Sequence, residues 1–203
     1  MQLDTDAIVV AARGHGEHGT VARVLTPADG LQAGYVRGGR GRRMRPVLLP
    51  GNVVRASLRG RVATQLPAMT AELVRSRAGL MGEPLSAAAL EWSTGLIAVA
   101  LPEGQPYPAI HAALSGLLDA LELAPSARGW APALLRFEAL AIAELGYGEA
   151  GIAERPEGWR EIHDALRRTG RAFEAGLIPE RRTGVLEARG RLVDRIARLA
   201  AAA

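Results

Sequence analysis

The hydrophobic period of this sequence changes once, at about residue 67, and that change constrains the fold more than any other feature. Up to it, apolar residues come in short runs or alternate with polar ones between turn residues. Ala7-Ile8-Val9-Val10-Ala11 is closed by Arg13-Gly14-His15-Gly16, and Val21 to Thr26 is closed by Pro27-Ala28-Asp29-Gly30. A third run extends from Leu31 to about Arg37. Beyond Pro50-Gly51, Val54, Ala56 and Leu58 alternate with Arg55, Ser57 and Arg59. Gly60 then turns the chain, and Val62, Thr64 and Leu66 resume the alternation. Five short strands in about 66 residues predict a small barrel or curled sheet, for which the OB-fold is the commonest five-stranded arrangement.

From Met69 the spacing becomes helical. Helices are expected over about 70–81, 85–100, 107–123, 132–146, 158–175 and 183–200, with Pro84, Pro102, Pro106, Pro108, Pro125, Pro132, Pro156 and Pro179 at or between their ends. The predicted fold class is α+β, a five-stranded OB-fold β-barrel at the N-terminus followed by an all-α helical domain, divided into residues 1–68 and 69–203. No internal repeat is evident. An apolar content of 48% allows a substantial core, so global disorder is not expected.

Charge separates the same two parts. Residues 1–66 hold ten Arg against Asp4, Asp6, Glu17 and Asp29, whereas residues 67–203 hold fifteen Arg against seventeen acids. No acid lies between Gly30 and Ala71, where eight of those ten Arg fall. Such an asymmetry points to a polyanion-binding N-terminal part, the plainer alternative being a basic surface that only keeps the protein soluble. The densest stretch is Tyr35-Val36-Arg37-Gly38-Gly39-Arg40-Gly41-Arg42-Arg43-Met44-Arg45. Guanidinium groups fork onto phosphate oxygens, and the glycines let backbone approach closely, a combination that grips phosphate backbone and not base sequence. Tyr35 is the one aromatic residue before position 67, so stacking adds about 1–3 kcal/mol from one ring at most, and electrostatics should dominate with weak discrimination between single and double strands; the plainer alternative for Tyr35 is a core or rim residue of the barrel. Arg55, Arg59 and Arg61 flank the last expected hairpin and either extend the basic surface or form a solvated outer face.

The chain contains no lysine and no cysteine, which removes Walker A loops, Schiff-base chemistry, disulfides, thiol catalysis and cysteine-ligated metals. A GC-rich genome accounts for that bias without any function. The four histidines do not assemble a metal site: His15 and His18 fall in a turn, and His111 and His163 on separate helices. The acidic start, Met1-Gln2-Leu3-Asp4-Thr5-Asp6, lacks a basic n-region, and the longest apolar stretch, Gly95 to Leu101, is far shorter than the roughly 20 residues of a bilayer span. A cytoplasmic protein with no cofactor is expected.

In the helical part, a 100° projection of residues 132–146 puts Leu134, Leu135, Phe137, Ala141, Ile142 and Leu145 in one arc, with Glu138 inside it. A carboxylate there requires a partner, so a buried ion pair with an Arg from another segment is expected. Arg136 lies outside the arc, beside Leu140 and Ala143. On the helix from Trp159, the residues Ile162, Leu166 and Phe173 make the core face, while Arg160, Arg167 and Arg171 line a flank that is either a second basic surface or a solvated one laced by pairs such as Asp164 to Arg168.

Taken in order, Ala7-Ile8-Val9-Val10, Gly14-His15-Gly16-Glu17-His18-Gly19-Thr20, Leu25-Thr26-Pro27-Ala28-Asp29-Gly30, Val36-Arg37-Gly38-Gly39-Arg40 and Leu49-Pro50-Gly51 resemble the start of the RecO recombination-mediator family. Leu135-Arg136-Phe137-Glu138-Ala139-Leu140 and Glu144-Leu145-Gly146-Tyr147-Gly148 are similar to its helical domain. The resemblance implies an OB-fold, no nucleotide hydrolysis, binding of single- and double-stranded DNA, annealing of strands coated with single-strand-binding protein, and action with RecR in loading RecA. It also implies a seat for the acidic, Phe-terminated tail of single-strand-binding protein, for which Arg136 and Leu140 are the candidates, a plain solvated Arg136 being the alternative. Many members carry a cysteine zinc motif after the Gly-Tyr-Gly segment; this chain has none and is short there. The expected function is a non-enzymatic DNA-repair mediator. Alternatives are an RNA-binding OB protein, a metal-dependent nuclease, for which the four scattered acids of the first part are poorly placed, and a structural adaptor, which leaves the acid-free basic stretch unexplained.

Overall fold

The computed structural model describes residues 2–60, 65–124, 126–148, 158–178 and 183–201. Strands β1 (Gln2–His15), β2 (Gly19–Thr26), β3 (Gly30–Val36), β4 (Val53–Arg59) and β5 (Ala68–Arg75) close into a barrel in the order β1-β2-β3-β5-β4. Neighbours are antiparallel except β3 and β5, which meet in parallel at Tyr35 and Ala68. β1 serves two partners, pairing with β4 through residues 2–8 and with β2 through residues 8–15. The register with β2 slips at Val10, an extra residue that bends the strand from one partner to the other.

Period two puts Ala7, Val9, Ala22, Val24, Val36, Val54, Ala56, Leu58, Met69 and Ala71 inside, joined by Leu48 from the β3–β4 connection. Each fully buried leucine or valine among them contributes about 1.5–3 kcal/mol. A second row, Ile8, Leu25 and Leu31, sits side by side in register and is also buried, so the run Ala7 to Val10 is apolar on both faces for a structural reason. Residues 101–108 group with the barrel: the Gly104 N–H donates to Leu31 O at 2.9 Å and Arg23 pairs with Glu103 at 2.8 Å.

The helix expected over 70–81 is not formed. Residues 68–75 are β5 instead, with Met69 opposite Leu58 and Ala71 opposite Ala56. Met-Thr-Ala-Glu-Leu-Val-Arg is rich in helix formers, but β4 offers an edge of backbone N–H and C=O groups that only another strand satisfies, and barrel closure outweighs local propensity. The fifth strand was expected at 62–66; residues 61–64 lie outside the described ones, and 65–66 are not strand.

The helical unit groups Leu80–Ala100 with Ala109–Ala203. It contains α1 (Pro84–Ala100), α2 (Pro108–Leu123), α3 (Ala127–Glu144), α4 (Trp159–Ala172), which runs into a π-type turn at Phe173–Leu177, and α5 (Thr183–Ala201). The Glu83 carboxylate accepts from the Leu85 and Ser86 N–H groups at 3.0 and 2.6 Å, capping α1 ahead of Pro84. α3 starts before the expected position and carries Pro132 inside it, not at its end. The buried Ala127, Trp130 and Ala131 secure this first turn against the one hydrogen bond that proline cannot donate. α3 ends in a Schellman turn: Gly146 has φ +81°, its N–H reaches Ala143 O at 3.0 Å, and the Tyr147 N–H reaches Ile142 O at 3.0 Å. No described helix is long and apolar enough to cross a membrane.

Candidate nucleic-acid interface

The glycine- and arginine-rich stretch forms a chain of tight turns at one end of the barrel. Gly39 N–H bonds to Val36 O, Gly41 N–H to Gly38 O, and Met44 and Arg45 N–H groups both to Gly41 O. Two anchors hold these turns. Arg40 donates from its backbone to His18 O at 3.3 Å and from Nη1 to Gly16 O at 3.1 Å, tying the segment to the β1–β2 turn. At the other end Asn52, fully buried, donates through Nδ2 to Pro46 O at 2.8 Å and Val47 O at 3.1 Å, and accepts the Arg77 N–H at 2.8 Å. Arg37, Arg42, Arg43 and Arg45 are exposed, and among the described residues no hydrogen bond or ion pair holds their side chains. A cleft of about 600 Å³ lies between this segment and the β1–β2 hairpin, lined in part by Gly14, Thr20, Gly39, Arg40 and Arg45.

Around that hairpin a second cleft, about 680 Å³, is lined by His15, Gly16, Glu17, His18, Tyr35, Leu66 and Ala68. Tyr35 is half-buried where the barrel closes, its N–H donating to Pro67 O at 2.8 Å. Its ring lies over Gly19, where a Cβ would come within 2.2 Å of it, and meets the His15 ring edge-on, centroids 6.0 Å apart. Neighbouring Gly34 is equally constrained, because a Cβ there would sit 2.7 Å from Met69 Cβ.

Arg55 and Arg59 are exposed on the outer face of β4, but Arg55 does not add free charge. It pairs with Asp4, and with Asp6 at 3.5 Å, and the hydrogen bond to Asp4 is the main cause of its raised pKa. Glu72 stands opposite Arg55 on β5. Pairing by cross-strand register, invisible in a linear count, brings these acids to it. Arg61 lies outside the described residues. Residue type and spacing alone do not mark Arg13, His15 or Asn52 as parts of this interface. Arg13 is exposed and shares a cross-strand row with Val21 and Tyr35, a relation that only the register reveals.

In the helical unit Glu138 is fully buried on α3 and accepts from Trp92 Nε1 at 2.7 Å, from Arg189 Nε and Nη2 at 2.9 and 2.8 Å, and from the Thr169 hydroxyl. The Arg189 guanidinium also lies 5.5 Å from the Trp92 ring centre and 5.4 Å from that of Phe173. Arg136 is exposed and Leu140 half-buried. Arg160, Arg167 and Arg171 are all exposed on α4, and a groove between α4 and α5 brings Arg167 and Arg171 together with Glu174 and Asp194, so that flank is of mixed charge.

A closed five-stranded barrel in OB order, carrying a turn of exposed arginines and followed by a helical unit, places the molecule among OB-fold proteins with an appended α-helical domain. Residues 1–77 match the family described as Recombination protein O N terminal. The chain is 43% identical over 149 residues to the DNA repair protein RecO of Rhodospirillum centenum, covering 73% of this chain and 58% of that protein. It is 37% identical over 190 residues to that of Gluconacetobacter diazotrophicus, covering 92% and 75%, and 31% identical over 244 positions to that of Rhodospirillum rubrum, covering 96% of each. The chain belongs to the RecO family. The zinc motif of many members does not fit this sequence: it has no cysteine, and among the described residues no three His, Asp or Glu side chains cluster to hold a metal. Residues 149–157, which follow Gly148, lie outside the described ones.

Proposed function

We propose that this protein is a non-enzymatic DNA-repair and recombination mediator that binds single- and double-stranded DNA through the phosphate backbone and promotes annealing of complementary strands. The observation that carries the reading is the cluster of Arg37, Arg42, Arg43 and Arg45 on anchored turns of an OB barrel, in a chain of the RecO family. Neutralising phosphate on two strands lowers the repulsion that opposes their pairing. Arg160, Arg167 and Arg171 offer a second, weaker surface for the other strand. Partners follow from the family: RecR, the tail of single-strand-binding protein at Arg136 and Leu140, and RecA downstream. The working compartment is the cytoplasm.

Annealing of complementary oligonucleotides, with and without single-strand-binding protein, tests this in wild type and in a variant with Arg42, Arg43 and Arg45 replaced by alanine, which leaves the Arg40 anchor in place. Wild type should accelerate annealing and the variant should not, while Arg55→Ala, whose charge is already matched by Asp4 and Asp6, should anneal like wild type. With about six to eight phosphate contacts, affinity should fall by several decades between 50 and 200 mM salt. Salt-independent binding refutes the reading.

A further inference from the structure

The cleft beside the β1–β2 turn does not have the chemistry of a phosphate seat. Its wall carries the Glu17 carboxylate, which repels phosphate, together with two imidazoles, the Tyr35 ring and the Leu66 side chain, 45% exposed. A flat heteroaromatic group with N–H donors suits all of these: its face meets the aromatic and apolar walls, and an exocyclic amine can donate to Glu17. The cleft is also built to hold its ring still. Gly19 supports one side of Tyr35, His15 meets its edge, and the Pro67 carbonyl fixes its backbone at the barrel seam. Cations border it: Arg13 stands two strands away in the Tyr35 row, Arg37 follows β3, and Arg40 is bonded to Gly16 of the same turn.

We infer that this cleft is a subsite for one unpaired nucleobase, stacked on Tyr35, so that the barrel prefers single-stranded over duplex DNA. The inference rests on the nucleic-acid reading above and sharpens it, because arginines on a backbone favour neither form strongly whereas a stacking site accepts only a base freed from pairing. Duplex bases are stacked on their neighbours and reach no side-chain platform without being unpaired.

Fluorescence anisotropy with the full chain decides it, using three labelled probes: a single strand, the same strand with abasic residues at every position, and the duplex. Wild type should bind the normal strand about 5- to 150-fold more tightly than the abasic strand, which has the same charge but no rings. Tyr35→Ala should lose that ratio and keep its duplex affinity within about twofold, while Tyr35→Phe should retain the ratio. The abasic comparison needs no variant, so it stands even if Tyr35→Ala does not fold. Equal affinity of wild type for normal and abasic strands overturns this inference alone; failure to bind any of the three probes at 50 mM salt overturns the nucleic-acid reading with it.

Discussion

Replacing Glu138 with alanine should cost the helical unit about 3–5 kcal/mol, the penalty for breaking a buried charge pair from one side. The carboxylate has no solvent exposure and gathers four donors: the Trp92 indole N–H, two guanidinium nitrogens of Arg189, and the Thr169 hydroxyl. In Glu138→Ala the guanidinium of Arg189, a residue 7% exposed, keeps its charge but among the described residues retains only Leu166 O and Thr169 Oγ1 as acceptors, and the indole N–H loses its partner. Total stabilities of about 5–15 kcal/mol make that a large fraction. Trp92, Trp130 and Trp159 all lie in the helical unit, so tryptophan fluorescence during urea unfolding reports on that unit and not on the barrel. With an m-value of about 1.5 kcal/mol/M, the midpoint should drop by roughly 2–3 M. Replacing both charges, Glu138→Leu with Arg189→Met, should recover part of the loss, since no uncompensated ion then remains. A Glu138→Ala midpoint within 0.5 M of wild type, or a double variant no better than the single, would refute the argument; so would selective loss of DNA binding in a stable Glu138→Ala.

Asn52→Ala should destabilise the barrel by about 1–3 kcal/mol, because the buried Arg77 N–H and the Pro46 and Val47 carbonyls lose their partner, and hydrogen exchange should rise locally in residues 46–52. Glu83→Ala should cost about 1 kcal/mol at pH 7 through loss of the α1 cap. Hydrogen bonds from the Ser86 backbone lead the causes that lower the Glu83 pKa below 4.5, so its contribution is full above that pH and disappears as pH falls; unfolding curves of wild type and Glu83→Ala should converge in acid. Burial lowers the His111 pKa below 6.5, so the neutral form is favoured in the fold. Stability linked to His111 is then complete above pH 6.5 and declines below it, and His111→Leu should flatten that slope in urea titrations at several pH values.

Hydrophobic period revealed four strands, five helices and the burial of Glu138, because each rests on spacing within a single element. It failed where elements meet. Residues 68–75 read as helix since Met69, Ala71, Glu72 and Leu73 have helical propensity, and only the unsatisfied edge of β4, some ten residues upstream, makes them a strand. Pro132 read as a boundary since proline usually ends a helix, but the anchoring by Trp130 depends on neighbours that spacing cannot show. The same limit applies to the candidate site. The arginines of the turns were legible as a composition, whereas the Asn52 anchor, the His15 and Tyr35 contact and the removal of Arg55 from the basic surface all depend on strand register.

Register also changes what the arginine count of the barrel means. If every arginine contributed alike, the excess charge of residues 1–66 would be a diffuse field over the whole barrel, attractive to any polyanion from any direction. Specific pairing removes the evenness: Asp4 and Asp6 are matched to Arg55 across strands, and Arg23 to Glu103 of the 101–108 segment. Two strand arginines, Arg55 and Arg23, are thereby neutralised, whereas Arg37, Arg42, Arg43 and Arg45 of the turns have no carboxylate partner among the described residues. Arg37, Arg42, Arg43 and Arg45 fall close together in the sequence on exposed turns, near a cleft whose own carboxylate, Glu17, disfavours phosphate. On the proposed reading, a strand of nucleic acid would meet cations for its backbone on one side and the proposed base subsite on the other. That pairing of environments is what a single-strand site requires and a uniformly basic surface lacks.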